Sequence, residues 1–266
     1  MPGSLPGATA EARTPRLGYA RSMTTPGDPE RLFEADADRA GYVQTMFTEI
    51  SGRYDLMNRL MTLGRDQSWR RRAAQAAVRP GDVVVDAGTG TGDLAFACLD
   101  AGAARVTGFD FAGGMLAGAR RKAHDRGLAD RTEFALGDAT KLPLPDASAD
   151  VWCSAFVVRN IPDLDAALAE AHRVLRPGGR LAVLEIPKME RGLLRPFARV
   201  HFNQVVPRLG RLISGHRTAY TYLPVSVDHF LTPREFTQRL RSHGFEVTQV
   251  RMLMFHTVAM HIAVKR

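Results

Sequence analysis

The chain is poor in several residue types, and each shortage excludes something. Of its 266 residues only two are cysteine. Cys98 and Cys153 lie in unrelated segments without Cys-x-x-Cys spacing. This argues against a disulfide framework and a thiolate metal site, and leaves two buried, reduced thiols as the expectation. No metal is expected. Apolar runs near the ~18 residues that a membrane-spanning helix needs are absent, so the expectation is a cytoplasmic chain, touching the inner face of a membrane only at its surface. Acidic residues number 28 against 36 basic, a formal net charge of +8, and only Lys122, Lys141, Lys188 and Lys265 are lysines. An arginine excess attracts anionic partners, although enrichment in Arg, Ala and Gly also follows from a GC-rich coding sequence.

With 45% hydrophobic and 24% charged residues, the chain can bury one full core. Residues 1–30 are rich in Pro, Gly, Ala, Ser and Thr, and residues 1–40 are expected to form a disordered tail. Arg13, Arg16 and Arg21 against a single early acid, Glu11, also fit an organelle transit segment, and Met23 fits an alternative start. The domain is placed at 41–266. Val43, Phe47 and Ile50, then Leu56, Leu60 and Leu63, then about 67–78 recur at helical spacing. They form an expected N-terminal helical cap over 41–80, ended by Arg79-Pro80-Gly81-Asp82.

Beyond the cap, strands and helices alternate. Strands are predicted at Val83–Asp86, Arg105–Asp110, Thr132–Leu136, Val151–Ala155 and Arg180–Glu185, with helices near 92–101, 113–127 and 164–175. That alternation means right-handed βαβ units and a mostly parallel sheet covered on both faces. The chain end differs, with a helix at 233–242 and two consecutive strands, Phe245–Met252 and His256–Val264. The expected fold is α/β and Rossmann-like: a seven-stranded sheet closing in an antiparallel hairpin, with a helical insertion at about 188–230.

Chemistry gathers where open α/β sheets bind ligands, at the carboxyl ends of the strands. The first strand runs into Asp86-Ala87-Gly88-Thr89-Gly90-Thr91-Gly92-Asp93. Glycines there permit a tight turn and close backbone approach to a ligand ahead of a helix. An acid ahead of the glycines repels a pyrophosphate and suits a cationic sulfonium bearing an α-ammonium group, so S-adenosylmethionine is the expected ligand. Asp110 ends the second strand, 22 positions past Gly88, close to the spacing at which an acid meets ribose hydroxyls. It equally fits a cap for the next helix. Asp138, after the third strand, fits the adenine amino group.

With these three acidic strand ends in place, longer blocks become recognisable. Tyr54-Asp55-Leu56-Met57-Asn58-Arg59-Leu60-Met61-Thr62 is followed by Gly64 and Trp69. Phe156-Val157-Val158-Arg159-Asn160 follows the fourth strand, and Arg173-Val174-Leu175-Arg176-Pro177-Gly178-Gly179-Arg180 leads into the fifth. Tyr220-Thr221-Tyr222-Leu223-Pro224-Val225-Ser226 and Ala259-Met260-His261 come later. From about residue 41 to its end the chain resembles the ubiquinone and menaquinone C-methyltransferase family. The glycine loop and the Arg-Pro-Gly-Gly turn identify only the class I methyltransferase superfamily; the other blocks are narrower. The resemblance implies an S-adenosylmethionine-dependent C-methyltransferase acting on a lipophilic hydroquinone. It also implies cofactor contacts at Thr91, Asp110, Asp138 and Ala139, beside the Asp86, Gly88 and Gly90 of the loop.

Departures from the family pattern stand at Ala155, at Asp66-Gln67-Ser68 and at Pro187, and they bear on which quinone is used. Arg159 is expected to stabilise a forming phenolate, with Asn160 either orienting the substrate oxygen or turning the chain. Arginine stays protonated, so the base is left to a water or to His201, His216, His229 or His256. Tyr54 and Asn58, one helical turn apart, are expected to close a lid over the cofactor. Leu56, Met57, Leu60 and Met61 are expected to be helix core. Arg53, Arg59, Arg65, Arg70, Arg71 and Arg72, and in the insertion Arg191, Arg195, Arg199, Arg208, Arg211 and Arg217, fit a membrane-surface face and equally a solvated basic one. No nucleic-acid partner is expected, because no Asn-Pro-Pro-Tyr motif follows the fourth strand and no aromatic-studded basic face is present.

Overall fold

A computed structural model describes residues 36–62, 64–189 and 218–266. The cap comprises α1 (Asp36–Ile50), α2 (Tyr54–Thr62) and α3 (Arg65–Ala77). The first of these begins inside the stretch expected to be a tail. It is held there by Val43, Met46 and Ile50, which are buried against Met57 of α2 and Met115. The alternating region follows as β1 (Val83–Ala87), α4 (Asp93–Asp100), β2 (Arg105–Asp110), α5 (Gly113–Asp125), β3 (Thr132–Leu136), β4 (Ala149–Ala155), α6 (Leu164–Val174) and β5 (Leu175–Glu185). After the undescribed stretch come α7 (Thr218–Asp228), α8 (Pro233–Ser242), β6 (Phe245–Leu253) and β7 (Val258–Lys265). Most of the expected 188–230 insertion, with its arginines and with His201 and His216, lies outside the described residues.

The seven strands form one sheet in the order β3-β2-β1-β4-β5-β7-β6. The first five are parallel, while β7 runs antiparallel to both β5 and β6. Side chains alternate across it. Val84, Val151, Ala182 and Leu184 pack on α3, α4 and α5. Val85, Trp152, Leu181 and Val183 face α6 and α8. Because a strand's side-chain period is two, both faces of a central strand must be apolar when helices cover both, and Val83-Val84-Val85 meets that demand.

Of the boundaries that moved, two have a cause visible in the backbone. β5 starts at Leu175, since Leu175 already pairs with Ala149 ahead of a register shift. β7 starts at Val258, because Met254, Phe255 and His256 take positive φ (43°, 51° and 68°) and make the turn instead. Such a turn without glycine carries no sequence signal. Cys98 and Cys153 are buried free thiols, 3.8 Å apart.

Candidate active site

The strand order reverses between β1 and β4, and the carboxyl ends of these strands open on the crevice where such sheets bind ligands. The glycine loop leaves β1 at that point. Gly88 has φ 71°, and a Cβ built on it would stand 2.4 Å from Val157 Cγ1. Only glycine lets the loop pack so closely on the segment after β4. Asp110 fastens the loop from the neighbouring strand. Its Oδ2 accepts from the backbone N–H of Gly90 (2.8 Å) and its Oδ1 from that of Ala112 (2.9 Å). The Asp110 carboxylate thus braces the loop and the backbone of Ala112 just before α5, while α5 itself has no side-chain cap. Burial raises its pKa above the usual carboxylate value, and the backbone N–H groups counter that.

A cavity of about 370 Å³ lies here, lined by Phe47, Tyr54, Gly88, Gly90, Asp110 and Asn160 among others. Asn160 Oδ1 is buried and has no hydrogen-bond partner among the described residues. An orphaned acceptor beside an exposed-backbone loop is costly unless a donor arrives.

The other expected cofactor residues stand around this cavity and do not line it. Asp86 is 1% exposed. Its Oδ2 accepts from the Thr89 hydroxyl at 2.7 Å and its Oδ1 lies 3.8 Å from Cys153 Sγ. Burial pushes its pKa up to about 6 against the Thr89 hydroxyl and the Arg70 charge. Asp86 thus supports the loop from behind and does not present its carboxylate to the cavity. Thr91 donates to Asp55 Oδ1 (2.6 Å) and accepts from Lys122 Nζ (3.0 Å). Lys122 also pairs with Asp55 (2.6 Å) and Asp93 (2.7 Å). Asp55, in the first turn of α2, is part of a latch that ties α2 to the glycine loop and α5. At the end of β3, Asp138 Oδ1 accepts from the Thr140 backbone N–H and hydroxyl, both at 2.8 Å. Its Oδ2 makes no hydrogen bond among the described residues, and Ala139 packs beside it at the edge of the core.

A second, larger cavity of about 920 Å³ shares Phe47, Tyr54 and Phe156 with the first. It is lined mostly by apolar side chains, including Met46, Met57, Met61, Trp69 and Ile186. Arg159 and Asn58 also line it. Tyr54 and Asn58 share one face of α2; burial raises the Tyr54 pKa, and the nearby Arg70 charge and Asn58 side chain counter it. Tyr54 stands between the two cavities, while Asn58 faces only the larger.

Arg159 is 9% exposed. Its Nη1 donates to Glu185 Oε1 (2.6 Å) and to the Phe156 carbonyl (2.8 Å), and its Nε to Ser226 Oγ (3.2 Å). Its Nη2 makes no hydrogen bond among the described residues. The guanidinium is therefore anchored on one side by a buried carboxylate that sequence reasoning did not pair with it.

Two expectations change here. Leu56 and Leu60 are not core; they are 52% and 40% exposed. Met57 and Met61 turn inward, but onto the cavity. A nine-residue helix lying flat on a cavity has one face to fill and one to leave open, and the run of four apolar residues hid that division. Arg70 is not part of a basic surface; it is 5% exposed, with its guanidinium 5.2 Å over the Phe156 ring. His229 and His256 are exposed and line neither cavity. Phe156 belongs to the block after the fourth strand and carries no expected role, yet its positive φ of 64° places its ring in the wall shared by both cavities. A bulky residue in that region is strained and persists where the surroundings demand it.

The fold and the loop define the class: this is a class I S-adenosylmethionine-dependent methyltransferase. Among solved structures the chain is similar in fold to the [4+2]-cyclase SpnF (TM-score 0.64, 20% identity, 84% of this chain and 95% of that one). It is also similar to a SAM-dependent methyltransferase from Aquifex aeolicus (0.50, 22%, 71% and 84%). At such identities the likeness concerns the fold, and the first of these carries a different activity on it.

Residues 34–265 match the ubiE/COQ5 methyltransferase family, and the chain belongs to that family. It is 47% identical over 219 residues to a demethylmenaquinone methyltransferase of Thermus thermophilus, covering 82% of this chain and 98% of the relative. It is 45% identical to one of Deinococcus radiodurans, covering 86% and 95%. It is 39% identical to a ubiquinone/menaquinone biosynthesis C-methyltransferase, UbiE, of Methylobacterium nodulans, covering 84% and 90%. The protein is an enzyme whose methyl donor is S-adenosylmethionine. The close-packed Gly88 turn and the orphaned Asn160 acceptor fit that donor.

Proposed function

We propose that the enzyme methylates a ring carbon of a polyprenyl hydroquinone, and that its acceptor is a demethylmenaquinol-type naphthoquinol. The observation that carries this reading is the adjacency of the two cavities. A small one under the glycine loop, reached by Asp110 and Asn160, and a larger apolar one share the wall formed by Phe47, Tyr54 and Phe156. The two relatives of highest identity given above bear the name demethylmenaquinone methyltransferase, which favours a naphthoquinol over the benzoquinol alternative.

When bound, the donor supplies an electrophilic methyl group on a sulfonium. In this reading the strand ends divide the work of holding it. Gly88, Gly90 and Asn160 take the amino-acid end, Asp110 takes the ribose, and Asp138 with Ala139 takes the adenine, following the order β1, β2, β3 across the sheet. Asp86 keeps the loop in shape and sets the field, and Thr91 acts through the latch to Asp55 and Lys122. Arg159 directs Nη2 at the acceptor oxygen, where a fixed positive group favours the phenolate over the phenol. Tyr54 and Asn58 position the ring between the cavities, within the ~3–3.5 Å that a near-attack arrangement needs.

The polyprenyl tail calls for a lipid surface. Leu56 and Leu60 point outward from α2, beside exposed Arg59, while Met57 and Met61 on its other side line the acceptor cavity. Leucines one turn apart next to arginine suit an anionic bilayer surface, from which the acceptor would pass under α2.

The test is incubation with labelled S-adenosylmethionine and chemically reduced or oxidised quinone precursors, followed by identification of the product. Ring methylation of the reduced naphthoquinone alone is expected, because the oxidised ring offers no electron-rich carbon. Equal turnover of quinone and quinol sinks the mechanism.

A further inference from the structure

The hydroquinone reading leaves one task unassigned, removal of the phenolic proton, and the described histidines stand outside both cavities. We infer that Asp66 is the proton acceptor of the reaction. It is the one carboxylate among the described residues that line the large cavity, and it is 1% exposed. A buried carboxylate beside Met57, Met61 and Trp69 costs stability unless its charge is used or fully bonded.

The bonds of Asp66 are incomplete. Oδ1 accepts from the Thr62 hydroxyl at 3.0 Å and Oδ2 from Gln67 Nε2 at 3.1 Å. Arg70 Nε stays at 3.8 Å and has no hydrogen-bond partner of its own among the described residues. Two of roughly four lone-pair sites are taken, which leaves room for an incoming O–H. The residue sits in the first turn of α3, at the positive end of the helix dipole. The charged and titratable groups facing it are Arg70, Asp93 through the shared Gln67 amide (2.8 Å), and Tyr54 and Arg159 on the other cavity walls.

The proton steps balance. The acceptor's O–H bond breaks, its proton moves to the Asp66 carboxylate, and the freed electron pair on oxygen enriches the adjacent ring carbon. That carbon takes the sulfonium methyl group as the methyl's C–S bond breaks, with its electron pair left on the departing thioether. The C–H proton then leaves to water and the oxygen regains a proton from Asp66. The ring is again aromatic, the carboxylate is restored, and one proton has been released overall.

The test compares the wild type, Asp66→Asn and Asp66→Glu with a reduced naphthoquinone under anaerobic conditions, across pH 6–9, alongside melting curves and calorimetry with S-adenosylhomocysteine. Asp66→Asn should lower kcat by about 10²–10⁴ with thioether affinity unchanged, and Asp66→Glu should recover part of it. Turnover of the Asn variant should rise about tenfold per pH unit, because hydroxide then does the work, while the wild type stays nearly flat. A folded Asn variant with wild-type kcat overturns the inference. So does a reduced kcat whose pH profile parallels the wild type and which Glu does not restore. A wild-type kcat that itself climbs tenfold per pH unit overturns it without any variant. A wild type that methylates no hydroquinone overturns the hydroquinone reading first, and this inference with it.

Discussion

Replacing Arg159 by alanine should cost stability before it costs chemistry, and the structure sets the size of that cost. Glu185 is 2% exposed and accepts from Arg159 Nη1 (2.6 Å), from the Arg159 backbone N–H (3.2 Å) and from the Ile186 N–H (2.8 Å). Without the guanidinium, a buried carboxylate keeps two neutral donors and no counter-charge. Breaking such a pair from one side typically costs about 3–5 kcal/mol, a large part of the ~5–15 kcal/mol that holds a domain together. For a domain of this size that corresponds to a fall in Tm of about 6–20 °C. Glu185→Gln in the same chain should restore a large part of it, because the amide carries no charge to leave unpaired. Urea unfolding of the wild type, Arg159→Ala and the double variant measures all three. Turnover, assayed well below the new Tm, should remain down by about 10²–10³ in both variants, since the lost Nη2 is not replaced. An Arg159→Ala variant within 1 kcal/mol of the wild type refutes the energetics, and a double variant with wild-type turnover refutes the role toward the phenolate.

Other outcomes follow from the same geometry. Asp110→Ala should weaken S-adenosylhomocysteine binding by about 1–3 kcal/mol for the lost ribose partner. It should also loosen the loop whose Gly90 N–H the carboxylate holds; unchanged calorimetric affinity removes Asp110 from the site. Asp86 and His261 should push stability in opposite directions on acidification. Asp86, raised to about 6 by burial, binds a proton in the folded state first, so its contribution of about 3 kcal/mol appears as pH falls from 6 to 4 and is lost as pH rises through 6. His261, lowered to about 4 by burial despite its bond to the Pro233 carbonyl, stays neutral while the unfolded chain protonates near its ordinary 6.5. It therefore removes about 3 kcal/mol as pH falls from 6.5 to 4. His261→Leu should thus lose less stability than the wild type between pH 6.5 and 4.5, and identical pH slopes of the urea midpoint count against this assignment. Leu56→Ser with Leu60→Ser should reduce co-sedimentation with anionic vesicles and turnover of a long-tailed acceptor, and spare a short-tailed soluble one. Unchanged vesicle binding removes α2 as the docking face.

The sequence alone determined the architecture and the position of the donor loop, because both rest on local rules. Alternating apolar strands and helical periods leave little choice but a doubly covered parallel sheet, and a glycine run after a central strand of such a sheet must sit at its ligand edge. Tyr54 and Asn58 shared a face for the same reason, since helical spacing is local. What each side chain faces was decided only by the tertiary structure. Asp86 and Asp110 look alike as acids at strand ends. Yet one holds the loop from behind through Thr89 and lies against Cys153, while the other holds the Gly90 N–H and lines the cavity. Leu56, Met57, Leu60 and Met61 read as one apolar run until the cavity under α2 separated those that line it from those left outside. Arg159 met Glu185, and Asp66 came to line the apolar chamber, through pairings between distant segments that no local pattern encodes. Burial, which gives these charges their energetic weight, comes into being only when the cap closes over the sheet.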